Sequence, residues 1–383
     1  MNKVTPHLEQ NPEENVSEKK ILIRRPEMVK GKIPWHDWRH VQLWRHIMQV
    51  GFVLLNIYIG VIFYLWVRYY ESGAQGVAIA RPDGVEGWLP IAGLMNLKYA
   101  LTTFEMPLVH AAAMVLLVAF LLICLVLKKA FCSWLCPVGT LSEALWKGSR
   151  YFLGRNFFLP KWLDIPLRAL KYLLLGFFLY IALTMPAEAI KQFMEMPYGM
   201  IADVKMLNFF RYIGNTALIT IAIIVFGSLF IPNLWCRYLC PYGALMGIVS
   251  IFSPYKIRRD ADACIDCGKC AKVCPSRLPV DVKPKMTSPE CTACQSCVDV
   301  CSAQHALQFS LPPRKVLAKN GDVEQIQRRW YRRSLSGNAV AILLVLILGA
   351  FICTAKLTGY WKSPLPEEMY RVLIPRAQGT MHP

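Results

Sequence analysis

The sequence predicts an all-α integral membrane protein of about five transmembrane helices with a duplicated two-helix core, and a small α+β module placed before the last helix. Three observations predict it. The 383 residues are 55% hydrophobic with a net charge of +18, more apolar than an ordinary soluble domain. Five apolar stretches approach the ~20 residues a helix needs to cross a ~30 Å hydrocarbon core. Fourteen cysteines are present, and eight of them fall between residues 264 and 301 in two copies of one spacing.

Residues 1–45 come first. Positions 1–34 mix charge, proline and asparagine without periodicity, the composition of a flexible cytoplasmic tail. Arg24 and Arg25 are paired, but no apolar segment follows directly, which argues against a twin-arginine export signal. Trp35 to Arg45 holds three tryptophans with His36 and His40. An interfacial helix with solvated histidines is expected there.

Residues 46–252 form the four-helix membrane domain, with spans at about Ile47–Val67, Leu108–Leu127, Leu170–Pro186 and Ala217–Ile231. Arg168 and Lys171 would have to snorkel at the start of the third span. The loop between the first two spans contains Arg81 to Ile91 and then a weakly apolar run, read as a segment on the outer face. It is either part of an interfacial quinone cleft or a packed surface loop. Glu188, Glu195 and Asp203 lie in the other external loop, where a solvated surface is expected and a proton-accepting role is the alternative.

The second and fourth spans end in matched motifs, Cys132-Ser133-Trp134-Leu135-Cys136-Pro137 and Cys236-Arg237-Tyr238-Leu239-Cys240-Pro241, each with glycine two residues later. Duplication of a two-span unit explains the match. On a helix, cysteines at i and i+4 share a face, so two facing copies would gather Cys132, Cys136, Cys236 and Cys240 around one point. Four thiolates suit an iron–sulfur cluster, zinc or Cu(I); buried packing or free-thiol roles stay open beside that. Cys124 and Cys353 sit singly within spans and are expected in the core.

Residues 253–313 form the cysteine module. Cys264, Cys267, Cys270 and Cys274, and again Cys291, Cys294, Cys297 and Cys301, each read C-x2-C-x2-C-x3-C. This is the bacterial ferredoxin run, whose fourth cysteine ligates the other copy's [4Fe-4S] cluster. On that rule Cys264, Cys267, Cys270 and Cys301 hold one cluster, and Cys291, Cys294, Cys297 and Cys274 the second. Zinc sites pair cysteines two by two and need no third C-x2 step. Ser302 departs from the pattern, standing where the first copy has Pro275. The linker 314–338 contains the arginine-rich stretch Arg328–Arg333; the fifth helix is 339–355, and 356–383 is an external tail with Tyr360 and Trp361 as interface anchors.

Lysine and arginine are about three times as numerous in segments 1–46, 128–169 and 232–338 as in the alternate segments, which orients the amino terminus and the module to the cytoplasm and the carboxyl terminus outside. The positive charge is thereby a topology signal, and no nucleic acid is implied. Cysteines on the reducing side favour metal ligation over disulfides. Haem is unsupported: C-x-x-C-H is absent, and His46 and His110 belong near opposite membrane faces. The dinucleotide or flavin fingerprint G-x-G-x-x-G is absent too.

With these motifs the chain resembles the membrane polyferredoxin family of NapH-, MauN-, NosR- and CcoG-like 4Fe-4S integral membrane proteins. The resemblance spans about residues 45–310; a fifth span and external tail after the clusters depart from the NapH pattern. It implies the eight module cysteines as cluster ligands and Cys132, Cys136, Cys236 and Cys240 as a redox or metal-associated set. It implies a bacterial inner-membrane electron-transfer subunit linking membrane quinone to a partner reductase, iron–sulfur or cytochrome subunit. The alternative is a metal-centre assembly factor reducing Cu(II) to Cu(I) for a copper enzyme.

Overall fold

The computed structural model describes residues 40–379 except 155–156, 158, 262, 304–305 and 313–333. The expectations for Arg24, Arg25, Trp35, His36 and Arg328–Arg333 lie outside the described residues. Helix α1 (Val41–Glu71) is the longest element. Ile47, Val50, Leu54, Ile57, Tyr58 and Val61 are exposed on it, as a lipid-facing surface would be. Its inner stripe changes character along its length. Gln42, Arg45 and Gln49 are buried at the start, and Phe63, Trp66, Val67 and Tyr70 at the end, spacings that keep each set on one face.

A 3-10 turn (Asp83–Trp88) and α2 (Pro90–Thr103) follow. Both pack on α3 (Ala111–Leu127), the central helix, which buries Ala111 to Met114 and much of its remaining length. Gly93 permits this closeness: a Cβ there would lie 2.7 Å from the Ala113 carbonyl oxygen. With 17 residues, α3 is about 26 Å long, shorter than a ~30 Å hydrocarbon core. The expected second span is therefore a short helix enclosed by other helices.

The short α4 (Ala130–Trp134) leads into α5 (Pro137–Leu153), then α6 (Lys161–Thr184), α7 (Ala187–Glu195), α8 (Pro197–Met200), α9 (Ala202–Arg211) and α10 (Asn215–Phe230). A π-turn (Trp235–Leu239) precedes α11 (Pro241–Val249). Among the described residues, Val41–Glu71, Trp162–Thr184 and Gly337–Leu357 are long and apolar enough to cross a membrane, with a fourth span if α9 and α10, which meet at 80°, count as one. Five are not resolved by length alone.

The module follows, between strands β1 (Lys256–Arg259) and β2 (Leu307–Ser310), which pair antiparallel with Ile257 opposite Phe309. Both of those side chains are buried. Inside this clasp lie α12 (Lys269–Val273) and α13 (Ser296–Asp299). Helix α14 (Gly337–Leu357) packs against α1 and α3, and α15 (Glu367–Leu373) returns to α1, where Tyr370 meets Trp66 edge-on at 5.1 Å.

Three expectations are corrected. Lys171 does not snorkel: it is fully buried and pairs with Glu290 at 2.7 Å, because the module's edge reaches α6 and supplies an anion there. Cys353 is exposed rather than in the core, lying on the outward face of α14. His40 is not solvated but sits 3.2 Å from Asp299 of the module.

Candidate functional site

The two cysteine loops share a backbone. Asp266 and Gly268 in the first have φ of 50° and 64°, and Ala293 and Gln295 in the second have φ of 52° and 56°. These are the same two positions after the leading cysteine of each copy. Left-handed residues at alternate positions turn the chain around a point and aim backbone N–H groups inward, the concavity typical of iron–sulfur sites. Three of the four are not glycine, so the surrounding loop holds them there against their own preference.

The fourth cysteines cross over. The Cys301 thiol interacts electrostatically with Cys264 and Cys267, and Cys270 with Cys301. Cys274 interacts electrostatically with Cys294 and Cys291, and Cys297 with Cys294, Cys291, Cys274 and, across the two sets, Cys270. Cys264, Cys267, Cys270 and Cys301 together line one small cavity. The sets differ in access: Cys267 is exposed and Cys297 buried. Arg259 Nε donates to Cys264 Sγ at 3.3 Å.

Among the described residues, no three Cys, His, Asp or Glu side chains converge as ligands of one metal ion would. The donor sets are all cysteine, the chemistry that holds an iron–sulfur group.

Cys132, Cys136, Cys236 and Cys240 are brought together, though not along a helix face as the spacing suggested. Cys132 lies in α4 and Cys236 in the π-turn, whereas Cys136 and Cys240 are the N-caps of α5 and α11, each followed by proline at the first helical position. The proline cannot continue the preceding helix, so each motif is a break between two helices. All four thiols interact with one another and face one cavity. Burial pushes the Cys132 thiol up to about 12 and Cys136 to about 11, and Cys236 well above its usual value. The glycine of the first motif is sterically required, since a Cβ on Gly139 would stand 2.3 Å from the Cys132 carbonyl oxygen. The Gly243 N–H donates to Cys240 Sγ at 3.2 Å.

The cavity measures about 2040 Å³. It extends from Arg81 and Asp83, past Phe120 and Tyr242, to the four cysteines and to Cys294 and Cys301 of the module. Behind its far wall is a polar network that the sequence did not announce. Arg81 donates to Asp203 (2.7 Å), Asp83 (3.0 Å) and Glu86 (2.9 Å). Glu86 also accepts from the Ala113 N–H at 3.2 Å, and His110 lies between Glu86 (3.2 Å) and the Gly199 carbonyl (2.8 Å). Both ring nitrogens face acceptors, which a doubly protonated imidazole satisfies. Burial alone would raise the Glu86 carboxyl; His110 and Arg81 outweigh it and hold the group at about 2. Asp203 is thus buried rather than solvated, unlike the exposed Glu188 and Glu195.

The second module loop is seated on the first membrane motif. Ser133 Oγ donates to the Thr292 carbonyl (2.6 Å), Trp134 Nε1 to Ala293 O (3.2 Å) and Gln42 Nε2 to Cys294 O (3.0 Å). Arg237, inside the second motif, bonds Asp164 of α6 at 2.9 and 3.0 Å, and Tyr238 donates to the same carboxylate at 2.6 Å. Arg237 also reaches the Pro275 carbonyl at 3.3 Å. Lys171 and Tyr172 both donate to Glu290, the residue before Cys291. Apart from Lys171, read as a snorkelling residue, the sequence assigned these groups no contact; charges placed next to cysteine motifs were the available signal.

A family profile described as a 4Fe-4S binding domain matches residues 109–160 and again 214–259, and one described as a 4Fe-4S dicluster domain matches 256–302. YccM of Escherichia coli (strain K12), whose name places it in electron transport, is 54% identical over 92% of this chain and 96% of its own length. The ferredoxin-type protein NapH of the same organism is 30% identical over 46% of this chain and 60% of its own length. The methylamine utilization ferredoxin-type protein MauN of Paracoccus denitrificans (strain Pd 1222) is 31% identical over 38% of this chain and 48% of its own. No solved structure matches. The paired cysteine motifs, and a relative matched along nearly its whole length, show that this chain belongs to the membrane polyferredoxin family of iron–sulfur electron-transport proteins.

Proposed function

We propose that this chain carries electrons from membrane quinol to a partner redox protein, with Cys264, Cys267, Cys270 and Cys301 holding one [4Fe-4S] cluster and Cys291, Cys294, Cys297 and Cys274 the other. The observation that carries the reading is a large cavity, which reaches from the Arg81–Asp83 wall to the four motif cysteines and on to Cys294 and Cys301. Phe52, Ile59, Leu116 and Phe120 give it an apolar stretch that suits a quinone ring. When bound, the clusters supply one-electron transfer.

The residues divide the task. Asp83 and Arg81 offer a polar end to orient the quinol hydroxyls. Cys132, Cys136, Cys236 and Cys240 form a redox set between that end and the module. The exposed Cys267 side of the first cysteine set is the surface for a partner reductase, iron–sulfur or cytochrome subunit. The architecture of this reading is a duplicated two-helix core, supported by the twice-matching profile and by the same Cys-Pro helix start in both halves. It has five crossings, counting α3 and the bent α9–α10 pair. The domains divide as 1–45, 46–252, 253–313, 314–338, 339–355 and 356–383, with the amino terminus and clusters cytoplasmic and the carboxyl terminus outside.

The second reading is a metal-centre assembly role that reduces Cu(II) to Cu(I), for which the grouping of Cys132, Cys136, Cys236 and Cys240 on one cavity offers soft thiolate ligands. The test is electron paramagnetic resonance on anaerobically purified protein before and after a reduced quinol is added, with iron and copper counted on the same sample. Reduced-cluster signals that grow with quinol are expected. Silent clusters in a copper-loaded sample would transfer the function to metal reduction.

A further inference from the structure

Two adjacent lysines separate the membrane motif from the module. Lys128 ends α3 with φ 57° and ψ −160°, a conformation that side-chain-bearing residues rarely adopt. The strained turn lets consecutive lysines serve different neighbours. Lys128 is fully buried, its Nζ has no hydrogen-bond partner among the described residues, and it interacts electrostatically with Cys291. Its backbone N–H is held by Ser253 Oγ at 2.9 Å. Lys129, 3% exposed, lies in the field of Cys132, Cys236, Cys240 and Glu290 and lines the cavity.

The charges at this seam do not balance. Lys128, Lys129 and Lys171 are buried, and Glu290 is the acid that the described residues place among them, engaged by Lys171 through both oxygens at 2.7 Å. Two lysines are left over. A buried cation without an anion is strongly disfavoured, so each surplus lysine calls for negative charge where it points. A cluster bound by four thiolates is a net anion. A disulfide or a set of neutral thiols is not.

We propose that Lys128 and Lys129 are positioning residues for two neighbouring anionic centres. Lys128 serves the module cluster at Cys291, Cys294, Cys297 and Cys274, and Lys129 serves a third iron–sulfur cluster held by Cys132, Cys136, Cys236 and Cys240. The proposal deepens the electron-carrier reading and rests on it for the Cys291 cluster. An electron delivered from quinol adds one negative charge to either centre without making or breaking a bond there. The facing ammonium favours that reduced form and raises its potential.

The test uses the full chain, purified anaerobically, with iron counted and a redox titration followed by electron paramagnetic resonance. Iron for three clusters is expected, roughly twelve atoms at four per cube. Lys128→Met should lower the midpoint of one module cluster by about a tenfold change in its reduction equilibrium, ~59 mV for one electron, leaving the other centres in place. Lys129→Met should do the same to the third centre, and Lys→Arg at either position should restore wild-type values. Loss of iron in a Met variant with retention in the matching Arg variant also supports the charge requirement. Iron for only two clusters overturns the third centre. Unchanged midpoints, equal shifts in every centre, or iron loss in Met and Arg variants alike overturn the roles of the lysines. A wild-type protein without module clusters would instead overturn the electron-carrier reading itself.

Discussion

Glu86→Gln keeps the shape of a buried side chain and removes its charge. Glu86 is 1% exposed and is held by Arg81, His110 and the Ala113 N–H. Its carboxyl lies at about 2 against an ordinary 4.5. At ~1.36 kcal/mol per unit, that depression corresponds to about 3 kcal/mol of stability at neutral pH. Breaking a buried ion pair by removing one partner costs ~3–5 kcal/mol, so two independent routes agree. Because the folded value is depressed, the contribution is complete above about 4.5 and is lost as pH falls through about 2. The assay is the apparent melting temperature of detergent-purified protein between about pH 3 and 8. At pH 7 the variant should melt several degrees below wild type, with the gap narrowing below pH 4.5. Equal melting temperatures at pH 7 would refute the reasoning, since the network would then contribute nothing through this charge.

Glu290→Gln strands Lys171 in the interior and should cost ~3–5 kcal/mol, whereas adding Lys171→Met to it should recover most of the loss; thermal unfolding of the single and double variants checks this. Gly139→Ala drives a Cβ into the Cys132 carbonyl at 2.3 Å and should cost several kcal/mol, but Gly243→Ala, whose Cβ would meet Cys240 Sγ at 3.5 Å, should fold normally; expression level and melting temperature separate them. Cys301→Ser should remove the cluster signal of the exposed set and Cys274→Ser that of the buried set, each read by iron content and spectroscopy. Loss of the opposite signals would reverse the crossover assignment.

Local rules carried the readings that survive close to the residues. The apolar runs of α1 and α14 are long enough to be recognised without knowing their neighbours, because the bilayer demands length and apolarity from each helix separately. The two C-x2-C-x2-C-x3-C runs are equally local, since a cluster loop must place its donors within a few residues. Inference from spacing failed at Cys132–Cys136 and Cys236–Cys240, where the following proline ends one helix and starts the next; the thiols meet through packing, not through a shared helix face. Lys171, taken for a snorkelling residue, is buried because Glu290, 119 positions away, comes to it.

The sequence by itself determined the membrane class, the cysteine module and the pairing of the two Cys-Pro motifs. Only the tertiary structure decided that Arg81, Glu86, His110 and Asp203 form one buried network, that a cavity joins that end of the molecule to the thiols, and that Lys128 and Lys129 stand between two cysteine sets. The physical reason is the range of the interactions. Hydrophobic length and ligand spacing are properties of a short stretch of chain, whereas the cost of burying a charge depends on which opposite charge the fold brings to it.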